Sequence, residues 1–160
     1  MIAHNIRSSH NVGSLLRTAD GLGVELVYLT GYTPYPYSDP DPRLPHIAEK
    51  VDKQIRKTAL GAETSQTWKQ ADNIEITVNN LRQDGFVICA LEQTAGAVSL
   101  STYHAPDRVA IIVGNEVSGI DNATLALCDI CIAIPMRGKK ESFNVAQAAA
   151  MCMYHIAHTG

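Results

Sequence analysis

The chain has 160 residues, 46% of them hydrophobic and 18% charged, with 13 Lys and Arg against 16 Asp and Glu for a formal net charge of −3. That is enough for one compact domain with its own core, and the negative balance argues against binding nucleic acid by bulk charge. No apolar run approaches the roughly 18 residues of a membrane span, and the polar opening Met1–Asn5 lacks the apolar core of a secretion signal; a cytoplasmic location is the expectation.

Asn5–Ser14 is polar and offers helix caps, with Asn11 or a neighbouring serine accepting backbone N–H bonds. A helix follows with Leu15, Leu16, Ala19 and Leu22 on its apolar face, ended by Gly21 and Gly23. Arg17 falls among these apolar neighbours, either as a surface arginine or as one aimed at an anionic ligand. Val24–Leu29 reads as a strand. The stretch Tyr32–Pro45 holds five prolines, which exclude helix interior and central strand, so it is expected to be an exposed loop. A helix is expected over Ile47–Leu60, with Ile47, Val51, Ile55 and Leu60 in its stripe and Gly61 closing it. Trp68 falls in a connector as a packing residue.

A second helix, about Asn73–Asp84, carries Ile74, Ile76, Val78 and Leu81 and stops at Gly85. Phe86–Leu91 is a buried strand ending in Glu92-Gln93-Thr94, and Ala95–Pro106 is an irregular link. Two further apolar strands, Val109–Val113 and Ile130–Ile134, each end in a polar loop, the second running from Pro135 to Asn144 before the last helix. Strands alternating with helices indicate an α/β fold in one domain spanning residues 1–160, a mostly parallel sheet flanked by helices. In such sheets a ligand sits at the carboxyl ends of the strands, so the loops after Leu91, Val113 and Ile134 are expected to converge on one site.

The loop Gly114-Asn115-Glu116-Val117-Ser118-Gly119 is neither a phosphate-binding P-loop nor a dinucleotide fingerprint. Glu116 has no second carboxylate for glycosidase chemistry, and Ser142 has no nucleophile elbow around it. Amides, hydroxyls and backbone groups over an apolar floor suit a neutral-to-cationic, nucleoside-bearing cofactor without phosphates. Cys89, Cys128, Cys131 and Cys152 sit in or beside apolar runs as structural thiols, and no set of residues completes a metal site. Two basic clusters, Lys50–Lys57 and Arg137–Lys140, are either solvated surface or phosphate contacts.

Three segments, Asn11–Arg17 (NVGSLLR), Val113–Gly119 (VGNEVSG) and Ile134–Ala150 (IPMRGKKESFNVAQAAA), taken in order and spanning nearly the whole chain, resemble the motifs of the SpoU-type RNA ribose 2′-O-methyltransferases of the SPOUT class. The resemblance implies a C-terminal trefoil knot, a homodimer, S-adenosyl-L-methionine as methyl donor and transfer to a ribose 2′-hydroxyl of tRNA or rRNA. It implies catalytic roles for Arg17, Asn11, Glu116, Ser142 and Asn144, and places the cofactor against Leu91, Gly114, Asn115, Gly119, Ile134, Met136 and Phe143. Phe143 stands where the family commonly has leucine and Gln147 where it has serine. No added RNA-binding domain is evident at either end, so RNA is expected to be held by this domain, with Arg43 and the two basic clusters as contacts, by the dimer groove, or with a helper protein. The dimer contact is expected on Val145, Ala149, Cys152 and Ile156 of the last helix. Methylation of a base, or RNA binding without catalysis, are the alternatives.

Overall fold

The computed structural model describes residues 1–159. In chain order it contains β1 (Ile2–His4), α1 (Ser9–Gly21), β2 (Val27–Thr30), α2 (Pro45–Ala59), α3 (Ala62–Ser65), β3 (Trp68–Ala71), α4 (Ile74–Gln83), β4 (Val87–Leu91), β5 (Val98–Ser99), β6 (Val109–Val113), α5 (Asn122–Leu125), β7 (Ile130–Ala133) and α6 (Val145–Thr159). The strands form one seven-stranded sheet in the order β3-β2-β1-β6-β4-β7-β5, and every pairing is parallel. No helix among the described residues is long and apolar enough to cross a membrane.

Parallel strands covered on both faces must be apolar throughout, and the inner strands β4, β6 and β7 are. Ile2, Ile88, Ala90, Ala110 and Ile112 point to one face, where Val78 and Leu81 of α4 and Ile120 cover them. Ala3, Val27, Leu29, Cys89, Ile111 and Ile132 point to the other, under Leu15, Leu16 and Ala19 of α1, Ile55 of α2, and Ala149, Cys152 and Met153 of α6. Cys89 and Cys152 are fully buried in that second layer, and desolvation pushes the Cys152 thiol up to about 12.

Helix ends follow local chemistry. Ser8, not Asn11, caps α1, accepting the Asn11 N–H at 3.3 Å. Pro45 lies in the first turn of α2, where its missing N–H costs nothing. Asn73 caps α4 through the Ile76 N–H at 3.0 Å.

Several elements depart from the sequence expectations. The opening Ile2–His4 is a strand between β2 and β6, too short for its periodicity to register. Trp68 begins β3, an outer strand, while its indole N–H donates to the Glu63 carbonyl at 3.0 Å. The link Ala95–Pro106 contains β5 at the opposite edge. The second strand begins at Val27, not Val24. Leu60 lies beyond α2 in left-handed backbone and is exposed, as is Ile76 on α4, so both apolar stripes are narrower than the spacing suggests.

Candidate active site

Register places Ala3 beside Val113, and Leu91 beside Ile132, so the carboxyl ends of β1, β6, β4 and β7 form one rim. A cleft of about 290 Å³ opens there. Leu91, Val113, Ile134, Phe143, Val145 and Ala148 supply its apolar surface, with the Gly114–Gly119 loop along one side. Glu92, Glu116 and Glu141 line it, and no lysine, arginine or histidine does. The three polar strand-ends thus converge as the sequence indicated.

Glu116 is the hub. Its carboxylate accepts the Arg7 N–H at 2.9 Å, the Ser8 N–H at 3.0 Å and the Asn11 side-chain amide at 2.8 Å. Burial opposes its charge, yet the hydrogen bonds from Arg7, Asn11 and Ser8 outweigh that cost and hold the carboxyl below its ordinary range. Asn11 in turn accepts from the Asn144 amide at 3.2 Å, and Asn144 Oδ1 accepts the Ala146 N–H at 2.9 Å at the start of α6. Residues over a hundred positions apart are therefore joined in one chain, Asn144–Asn11–Glu116. Ser142 lines the cleft on the same loop as Asn144.

The Gly114–Gly119 loop is closed on itself by reciprocal backbone bonds between Asn115 and Gly119, at 3.2 and 3.0 Å. Gly119 takes a φ of 68° with the Glu92 carboxylate against it, leaving no room for a side chain. Glu92 also accepts the Ile120 N–H at 2.8 Å, and the Gln93 amide reaches the Ile134 carbonyl at 2.7 Å. Glu92 thereby ties the loop after β4 to the loop after β6, a role that its place at a polar strand-end only hinted at.

Not every expected site residue reaches the cleft. Leu91, Gly114, Asn115, Gly119, Ile134 and Phe143 line it, whereas Met136 does not. Arg17 is exposed on α1. Six residues beyond Asn11, it lies about 9 Å further along the helix and roughly 120° around it, off the face from which Asn11 reaches Glu116. Arg43 is spoken for inside the proline-rich loop. Its guanidinium pairs with Asp41 at 2.6 Å, donates to the Tyr35 and Pro36 carbonyls at 2.9 and 3.1 Å, and lies 3.7 Å from the Tyr35 ring centre. It staples that loop, so the expectation that this guanidinium contacts RNA is corrected, its donors being committed within the chain.

The expected dimer face is corrected too. Ala149 and Cys152 are fully buried within their own chain, and Val145 and Ile156 pack against the same core. The outward side of α6 instead presents Met151 and Tyr154, beside an apolar groove of about 790 Å³ that Thr18 and Gly21 of α1, with Leu22 just after it, complete. Ile134 borders both this groove and the cleft.

Comparison with known proteins agrees with this architecture. The chain is 28% identical over 156 residues to the 23S rRNA (guanosine-2′-O-)-methyltransferase RlmB of Coxiella burnetii, covering 98% of this chain and 56% of that protein. It is 30% identical over 158 residues to the protein of the same name from Neisseria meningitidis serogroup B, covering 96% and 55%. The chain thus spans little more than half the length of these curated relatives. Among solved structures, the A. aeolicus TrmH/SpoU tRNA modifying enzyme superposes with a TM-score of 0.80 at 22% identity, over 99% of this chain and 73% of the other. The SpoU methyltransferase AviRb from Streptomyces viridochromogenes with AdoMet superposes with a TM-score of 0.77 at 23% identity, over 98% and 58%. The model of the SpoU rRNA Methylase family matches residues 42–154, which include the Glu116 loop, the Pro135–Asn144 loop and most of α6. The parallel sheet with its three-loop cleft is therefore that of the SpoU rRNA Methylase family, to which this chain belongs.

Proposed function

We propose that the chain transfers a methyl group from S-adenosyl-L-methionine to a ribose 2′-hydroxyl of tRNA or rRNA. The observation that carries this reading is the lining of the cleft, three carboxylates over an apolar floor with no cationic side chain. Phosphate-bearing cofactors are bound by cations and helix N-termini, whereas a sulfonium nucleoside suits a cleft of this composition. Leu91, Gly114, Ile134 and Phe143 are the residues that would hold it. When bound, that cofactor supplies an electrophilic methyl group whose leaving group departs as a neutral thioether.

The chain's own residues then align the attacking oxygen and manage its proton. Glu116, ionised and fully engaged, fixes Asn11, and through it Asn144, while Ser142 on the same loop faces the cleft. A guanidinium offers donors and no acceptor, so Arg17 acts by binding the adjacent phosphate and polarising the 2′-oxygen rather than as a base, the proton passing to water. Names of the relatives that specify guanosine-2′-O-methylation of 23S rRNA support the ribose as the target.

The chain acts as a homodimer in this reading, the second copy covering the groove beside Met151 and Tyr154. That groove abuts the cleft at Ile134 and includes Thr18, next to Arg17. Arg17 turns away from its own Glu116, so it serves the cleft of the second copy. The C-terminal knot belongs to the same proposal, supported by β6 entering between β1 and β4, and β7 between β4 and β5. Exposed Lys50, Lys53 and Lys57 on α2, and Arg137, Lys139 and Lys140, supply phosphate contacts that compensate for the net negative charge.

Incubation with methyl-tritiated S-adenosyl-L-methionine and unmodified tRNA or rRNA transcripts, followed by nucleoside mass spectrometry, tests the reading. Label on 2′-O-methyl nucleosides is the expected result. Label on a base, or none on any RNA, overturns it.

A further inference from the structure

We propose that Tyr32 is a stacking platform for an unpaired nucleobase of the RNA strand, an assignment that rests on reading the adjoining cleft as an RNA methyl-transfer site. Tyr32 is 61% exposed, yet it is held at both ends. Its hydroxyl accepts the Asn115 side-chain amide at 2.8 Å, and its backbone N–H donates to Asn5 Oδ1 at 3.2 Å. Both anchors are themselves fixed. Asn115 is buried, donates also to the Asn5 carbonyl at 3.1 Å, and accepts the Val117 and Ser118 N–H groups at 2.8 and 3.0 Å. Asn5 adopts left-handed backbone with a φ of 55°, and the amide of its side chain meets His4 Nε2 at 3.0 Å.

An exposed tyrosine that swings freely needs no explanation. One that gives up its rotamer freedom without burying its ring does, because ordering a side chain has an entropic cost that burial normally offsets. Asn115 lines the cleft and precedes Glu116, so the ring stands at the rim where the strand must pass. Val117 on the same loop is 80% exposed and adds apolar surface. Unpaired RNA bases are recognised by stacking on aromatic rings, and such stacking tolerates any base. Tyr32 therefore contributes affinity for a splayed strand, not a choice of sequence.

A single-stranded RNA oligonucleotide carrying 2-aminopurine reads stacking directly through fluorescence quenching. The wild-type protein and Tyr32→Phe, which keeps the ring, are expected to quench alike. Tyr32→Ala is expected to lose the quench and bind the oligonucleotide about tenfold more weakly, with S-adenosyl-L-methionine affinity unchanged and Tm lowered no more than in Tyr32→Phe, which gives up the same hydrogen bond. The proposal is overturned if the wild type does not quench, if Tyr32→Ala quenches like wild type, or if Tyr32→Phe loses as much as Tyr32→Ala. It is overturned equally if Tyr32→Ala loses cofactor binding in parallel, for Tyr32 would then act only through Asn115. Methyl transfer is measured separately, so ring-dependent quenching without transfer to any RNA would sustain the stacking platform while defeating the reading of the cleft.

Discussion

Glu116 and Arg17, the two charged residues of the proposed reaction, sit in opposite surroundings. Glu116 receives three hydrogen bonds inside the protein, so Glu116→Gln sets an amide against existing donors and should cost about 1–3 kcal/mol of stability as well as most of the activity. Because the folded-state pKa of Glu116 is depressed from its ordinary value of 4.5, its stabilisation is complete above that value and lost as pH falls through the lower folded-state value. Urea unfolding of wild type and Glu116→Gln should therefore differ by a constant amount near neutrality, with the gap closing in acid. A gap that widens in acid would show that the carboxylate is not the stabilising form. Arg17 is exposed, and no hydrogen bond or ion pair to its guanidinium is seen among the described residues. Arg17→Ala should leave stability within about 0.5 kcal/mol, while methyl transfer to RNA drops sharply; retained transfer would remove Arg17 from the reaction.

Helices α1 and α6 carry the site as well as the core, and their placement is sensitive to small changes. Gly13 lets α1 approach α2 so closely that a Cβ there would fall on the Ile55 carbonyl and within 2.9 Å of the Ala59 nitrogen. Thr58 fastens the crossing through the His10 carbonyl at 2.7 Å. Gly13→Ala must push the helices apart, at about 1–3 kcal/mol in thermal or urea unfolding, and should shift Asn11 away from Glu116 enough to lower kcat. At the start of α6, Asn144→Ala removes the cap on Ala146, worth about 1 kcal/mol, whereas Asn144→Ser restores the cap without the amide that reaches Asn11. Stability restored by serine without activity would separate the two roles of this residue.

On the scale of the whole molecule, the proposed homodimer covers the groove beside Met151 and Tyr154 and completes the cleft. Tyr154→Glu should give a monomer in sedimentation equilibrium and lose methyl transfer while keeping its fold by circular dichroism. Mixing subunits tests the placement of Arg17 more sharply. Arg17→Ala and Glu116→Gln homodimers should each be nearly inactive, but a mixed dimer holds one cleft with an intact Glu116 facing an intact Arg17 and should recover transfer. No recovery on mixing would assign Arg17 to its own subunit's cleft.

The chain announces much of this in its residues, for physical reasons that apply locally. Apolar runs such as Val109–Val113, wide enough to be buried on both faces, mark parallel strands, and the Gly114–Gly119 loop marks where a ligand can approach backbone. Asn11, Glu116 and Asn144 were identifiable as polar groups of three separate motifs. Their union was not, because hydrogen bonds between positions 11, 116 and 144 exist only once β1 and β6 lie side by side. The same holds for β1 and β3, whose strand character comes from their neighbours and not from their own three or four residues. Helical spacing alone puts Val145, Ala149, Cys152 and Ile156 on one face, but only the packing of α6 against α1 decides that this face belongs to the chain's own core and leaves Met151 and Tyr154 outward. Periodicity tells which residues share a side; the tertiary structure decides what that side meets.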